Sequence, residues 1–203
     1  MPRNSTATTK KSAASNASRS KASNGRSNAK SAPYNEETKL KELFVEELRD
    51  IYWAEKHMTK SLPRMAKAAT SPELAEAFQT HLAQTEEQIA RLEEVFEMLE
   101  MPARAKKCEA MEGLAREAQT AIDDTDKGTS TRDAALIISA QKAEHYEIAS
   151  YGSLVQLAKT MSLNDVAEVL QQTLDEEKQT DVLLTELAVS SVNINAESEP
   201  EEE

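Results

Sequence analysis

Glycine and aromatic residues are scarce in this chain, which has four glycines, three phenylalanines and one tryptophan among 203 residues. A sheet protein of this size needs glycine at tight turns, and β-branched and aromatic residues alternating along its strands. No stretch shows that alternation, so a β-fold is excluded. The single cysteine, Cys108, rules out an internal disulfide framework and fits a reducing compartment. No run of about 18 apolar residues occurs, so no segment is expected to cross a membrane. The N-terminus lacks the apolar stretch of a secretory signal, and a cytoplasmic location is expected. Acidic residues are missing from positions 1–32, which hold seven basic ones, while the remaining 17 of the chain's 24 bases face all 36 acids. The net charge of -12 therefore conceals a basic arm joined to a strongly acidic body.

Ala, Leu, Glu, Lys and Gln dominate instead, and these are strong helix formers. Residues 1–33 have almost no large side chain to bury and are expected to form a disordered basic tail. Its Lys10, Lys11, Arg19, Lys21, Arg26 and Lys30 would give weak, non-specific attraction to nucleic acid through phosphate contacts. It has no aromatic side chain for stacking on bases. Residues 34–192 read as one helical domain, and 193–203 as a disordered acidic tail.

Within the domain the apolar residues recur at three- and four-residue spacing in four long segments. The first starts near the cap Asn35 and is expected to kink or end at Pro63. The second starts at Ser71-Pro72-Glu73, a strong helix-start signal, and runs to about Leu99. A shorter helix is expected over about 105–122. The third long helix runs from about Asp133 to Met161, and the fourth from there to about Val189. Two long-helix hairpins joined by a long connection are what a four-helix bundle requires. The fold class is all-α.

Each long segment breaks its apolar stripe with polar residues near its middle. The first places Glu47 in a core slot, with Asp50 one turn on. The second places His81 centrally, with Gln84 beside it. The third has Glu144 and Glu147, and the fourth Glu177 and Asp181. Glu47-x-x-Asp50-Ile51 parallels Glu144-x-x-Glu147-Ile148, as two halves related by a pseudo-twofold axis would. Glu55 and Glu176 flank these faces, and a small helix rotation would bring either inward. A carboxylate aimed at a core costs several kcal/mol unless a proton, a cationic side chain or a metal neutralises it. Several carboxylates with one imidazole suit Fe, Mn or Zn, and two ions balance about four negative charges. The expected cofactor is therefore a pair of metal ions, with Fe first and Mn or Zn as alternatives. Tyr52, Tyr151 and Thr85 are expected just behind these ligands, the tyrosine hydroxyls bonded to carboxylates. His145 falls off the stripe and His57 lies beside it.

The chain resembles the YciE/YciF-like family of the ferritin-like superfamily, bacterial stress-associated proteins. The resemblance lies in Glu47-Leu-Arg-Asp-Ile-Tyr-Trp-Ala-Glu55, Leu62-Pro63, His81 with Thr85 and Gln88, Cys108-Glu-Ala-Met-Glu-Gly113, Ala140-Gln-Lys-Ala-Glu-His-Tyr-Glu-Ile148 with Tyr151, and Asp175-Glu-Glu-Lys178 with Asp181. It covers roughly residues 36–190. It implies a four-helix bundle, a di-metal site handling iron, O2 or peroxide, and a homodimer. Di-iron proteins of this class carry Glu-x-x-His on two helices. This chain departs from that pattern with His81-x-x-Gln84 on the second helix and no histidine after Glu177 on the fourth. Two other readings stand beside it: a metal-free bundle serving as an interaction or assembly protein, and a stress protein held to DNA by its basic arm.

Overall fold

The structure, a computed structural model, describes residues 38–200. The predicted basic tail lies outside these residues, and Asn35 is not the first cap, since α1 begins at Lys39 and Thr38 caps it. Six α-helices account for nearly all of the described chain: α1 (Lys39–Ala68), α2 (Pro72–Met98), α3 (Glu109–Asp123), α4 (Ser130–Thr160), α5 (Asn164–Leu187) and α6 (Asn193–Glu197). No strand occurs among the described residues, and none of their helices is long and apolar enough to cross a membrane.

Local chemistry sets most of the helix starts. Thr38, Ser71 and Thr129 each accept a hydrogen bond from the backbone N–H three residues on, which satisfies one free donor of the first turn. Pro72 follows Ser71, where its missing N–H costs nothing. Two helices stop in the left-handed region without glycine, at Glu100 (φ 55°) and Ser162 (φ 61°). In each case the next N–H reaches back to a carbonyl of the last turn, Met101 to Phe96 and Leu163 to Ala158, both at 2.9 Å.

Three boundaries differ from expectation. α1 runs through Pro63 to Ala68. The proline forfeits one backbone hydrogen bond there, and the buried Leu62 and Met65 continue the apolar face on either side of it in sequence. The connecting helix begins at Glu109, because Cys108 is its cap and accepts from Met111 N at 3.3 Å. The stretch before it is extended along α1, with Lys106 N bonded to Arg49 O at 3.0 Å. At the far end, α5 passes through a π-helical turn, Ala188–Val192, into α6. Helix therefore occupies part of the stretch expected as a disordered acidic tail. Val192 is buried there, and Glu199 accepts from Thr131 N at 3.0 Å and Thr131 Oγ1 at 2.8 Å. Its carboxylate thus faces the positive end of α4, where a negative charge is favoured.

Short turns make α1 and α2, and α4 and α5, neighbouring hairpins. Contacts of α2 with α5 and of α1 with α4 close the four-helix bundle, and α3 lies against α4 and α1. Asp133 joins the hairpins at one end, accepting from Thr70 N and Ser71 N, both at 2.7 Å. Along α1 the buried face is Phe44, Leu48, Ile51, Glu55, Met58, Leu62 and Met65. That alternating spacing of four and three is a heptad seam, and its middle position is a glutamate.

Candidate metal centre

Four helices carry polar side chains to one level of the core. Glu55 comes from α1, His81 from α2, Glu144 and Glu147 from α4, and Glu177 from α5, none of them more than 3% exposed. One ligand atom each from His81, Glu144, Glu147 and Glu177 can be chosen so that all lie within 4.8 Å of one another. This cluster could hold a metal ion. His81 Nε2 stands 3.2 Å from Glu144 Oε1 and 3.9 Å from Glu177 Oε2, close to both but aligned for a hydrogen bond with neither. Both oxygens of Glu144, Oε1 of Glu147 and Oε2 of Glu177 are also buried without a partner among the described residues. Native interiors rarely leave even one such atom unmatched. Here five converge, and all carry electron pairs.

The atoms behind the ligands set their orientation. Thr180 Oγ1 donates to Glu176 O at 3.2 Å, so toward His81 Nδ1, 3.5 Å away, it can only accept. With the proton on Nδ1 facing Thr180, Nε2 would be bare toward the carboxylates, as a metal ligand requires. Thr85 donates its hydroxyl to His81 O at 2.9 Å. Tyr151, fully buried, donates to Glu55 Oε1 at 2.5 Å.

The electrostatics follow from burial. Desolvation raises the Glu55 pKa to about 7, against the opposing hydrogen bond from Tyr151. Desolvation also pushes Glu147 and Glu177 well above the usual carboxylate range, and their acidic neighbours push the same way. For His81 burial opposes the charged form, but Glu144 outweighs it and the pKa is raised. Burial thus favours the protonated carboxyl at Glu55, Glu147 and Glu177, and a cation among them would take the place of those protons.

The structure does not bring all the expected ligands together. Glu47 is exposed, because it precedes Leu48 and so lies about 100° round α1 from the buried face. Glu55 supplies α1's buried carboxylate instead. Its signal was the same heptad, read in the register of Leu48 and Ile51 instead of Leu43 and Glu47. Asp50 is half-buried and accepts from Tyr146 Oη at 2.5 Å, while that oxygen also lies 3.0 Å from Cys108 Sγ. This is a separate polar contact among α1, α4 and the α3 cap. Asp181 sits at the α4–α5 edge, where it pairs with the exposed His145 at 3.2 Å and accepts from Gln141 at 3.1 Å. Gln84 is half-buried beside His81. Tyr52 bonds a carboxylate outside the cluster, donating to Glu93 Oε1 at 2.6 Å. His57 stacks on Trp53 with ring centroids 4.6 Å apart. Gln88 and Glu176 were not among the expected ligands, yet Gln88 is fully buried against Glu177.

Four helices in two hairpins, with carboxylates and a histidine meeting at mid-height, define a ferritin-like helical bundle. The chain belongs to the family described as a domain of unknown function, DUF892, whose model matches residues 39–197. It is 45% identical over 160 residues to Protein YciF of Escherichia coli K12, covering 78% of this chain and 96% of that one. The crystal structure of the E. coli stress protein YciF matches with a TM-score of 0.74 and 44% identity, over 77% of this chain and 99% of the other. YcfI of Rhodopseudomonas palustris matches with a TM-score of 0.70 and 39% identity, over 73% of this chain and 94% of the other. A protein of Xanthomonas campestris, at a TM-score of 0.59 and 24% identity over 79% of this chain and all of its own, shares the fold.

Proposed function

We propose that this chain is a di-metal carboxylate protein, with iron the first candidate and Mn or Zn the alternatives, that handles iron, O2 or peroxide under stress. The observation that carries the reading is the convergence of unpartnered electron-pair donors from His81, Glu144, Glu147 and Glu177 in a buried compartment. Charge supports two ions. Glu55, Glu144, Glu147 and Glu177 together match two divalent cations, with His81 neutral. The stress assignment rests on the likeness to a protein described as a stress protein.

Two iron ions bound there would supply the electron steps toward O2 or peroxide. The chain's own part is to orient and to exclude water. Thr180 holds the His81 ring with Nε2 inward, Tyr151 fixes one oxygen of Glu55, and the packed core around Tyr151, Leu48 and Ile51 keeps solvent out. Glu55, Glu144, Glu147 and Glu177 would hold the ions, releasing any protons they carry.

The test is metal content per chain, by mass spectrometry, on untagged protein. About two Fe or Mn per chain is expected. No metal after anaerobic Fe(II) loading would overturn the reading. The metal-free alternative has its own support, since burial holds Glu147 and Glu177 toward the protonated form. It predicts a melting temperature indifferent to chelator. A homodimer would cover apolar side chains that α4 and α5 expose at Ile138, Val182 and Leu183, and sedimentation tests it. The basic arm would add salt-sensitive attraction to nucleic acid, lost on deleting residues 1–32.

A further inference from the structure

A second polar side chain of α2 is sealed in the bundle with an atom unmatched. Gln88 is 0% exposed. It lies two helical turns from His81, on the same face. Its amide nitrogen donates to Glu177 Oε1, and to Glu176 Oε2 at 3.2 Å. Glu176 is anchored in turn by Arg91, whose Nη2 lies 2.7 and 2.5 Å from its two oxygens and whose Nη1 donates to Thr173 at 2.8 Å. Both N–H bonds of the amide are thereby spent on carboxylates. This orientation is the favourable one, because a flipped amide would set its oxygen against the Glu176 carboxylate that Arg91 pairs with. Oε1 is left buried, with its lone pairs facing no donor among the described residues. It shares a carbon with Nε2, so it stands beside the Glu177 carboxylate, whose own Oε2 is unpartnered. An amide oxygen in that position is a strained acceptor unless a cation takes it.

We propose that Gln88 is a further ligand of the metal centre, binding a hard divalent cation through Oε1 while its N–H groups hold Glu177 in place. This rests on the reading that the compartment holds metal. A carbonyl oxygen suits ions such as Mn(II). Being neutral, it adds a ligand without disturbing the match between four carboxylates and two divalent ions. The Arg91–Glu176 pair makes the amide a preset dipole instead of a mobile side chain, as hydrogen bonds behind metal ligands generally do.

The test is Mn(II) titration of chelator-treated full-length protein, with free Mn(II) read from the electron paramagnetic resonance signal of the aqua ion and folding checked by circular dichroism. Gln88→Leu is expected to weaken at least one Mn(II) by about tenfold or more. Gln88→Glu keeps an oxygen ligand but loses both N–H donors and adds a charge beside Glu176, so it is expected to bind more weakly than wild type and more tightly than Gln88→Leu. Equal affinity of Gln88→Leu and wild type would overturn the proposal. So would Gln88→Glu as weak as Gln88→Leu, since only the N–H groups would then matter. If Gln88→Leu loses its helicity, Gln88→Met, which fills the same space without an amide oxygen, takes its place with the same expectation and the same overturning result. Wild type and Glu144→Ala are titrated alongside. Failure of wild type to take up Mn(II) would overturn the Gln88 proposal, and the metal-centre reading would then stand or fall on the Fe(II) loading. Binding that Glu144→Ala abolishes and Gln88→Leu does not would leave that reading standing and remove Gln88 from it.

Discussion

Removing metal at different pH probes the buried carboxylates directly. In the metal-free protein burial raises the Glu55 pKa from 4.5 to about 7. A carboxyl raised in the folded state holds its proton more tightly there than in the unfolded chain. Its contribution to stability is therefore complete below the unfolded pKa and is lost as pH rises through the folded one. Between about pH 5.5 and pH 8 this single group withdraws about 2 kcal/mol. For a domain of this length that corresponds to a fall of roughly 6 °C in melting temperature. Glu147 and Glu177, also raised by burial, act in the same direction. Metal reverses the sign of the effect, because ligands must lose protons to bind it and the loaded centre tightens as pH rises. The assay is thermal melting by circular dichroism at the two pH values, with chelator and with Fe(II) or Mn(II) under anaerobic conditions. The gap between loaded and chelated protein should be wider at the higher pH. A chelated melting temperature that is flat or rises over this interval would refute the argument, since the carboxylates would then be solvated or paired in a way the structure does not show.

Other expectations separate the cluster from its surroundings. Glu47→Ala should leave metal content unchanged, because Glu47 is exposed, whereas Glu55→Ala should lower it; the two variants are compared by metal analysis. Tyr151→Phe removes the donor to Glu55, so chemical denaturation should show a loss of about 1–3 kcal/mol. Asp133→Ala leaves Thr70 N and Ser71 N without their acceptor, at a cost of about 1–2 kcal/mol by the same measurement, with metal content unaffected.

Much of the architecture was legible along the chain because it depends on neighbours in sequence. Ser71-Pro72 announced α2, and the long interval between hairpins announced a crossover. His81, Glu144, Glu147 and Glu177 could be picked out because each interrupts an apolar stripe whose register leaves one choice of face. α1 offered two registers. Leu40, Leu43 and Phe44 drew the face toward Glu47, yet Leu43 is 49% exposed and the helix turns Leu48, Ile51 and Glu55 inward. The likeness of Glu47-x-x-Asp50 to Glu144-x-x-Glu147 reinforced the wrong choice, since a shared spacing does not require a shared orientation.

The sequence by itself determined the helices, the Ser71-Pro72 start of α2, the two hairpins and the presence of charge inside the core, because backbone hydrogen bonding and apolar periodicity are local properties. Only the tertiary structure decided that Glu55 is the carboxylate of α1 buried beside the His81 cluster and that Asp50 bonds Tyr146 instead. It also revealed Gln88 locked between Glu176 and Glu177 with one oxygen unmatched. The physical reason is rotation. One residue shifts a side chain by about 100° around its helix, and the packing of all four helices together, through contacts distant in sequence, selects the rotation of each.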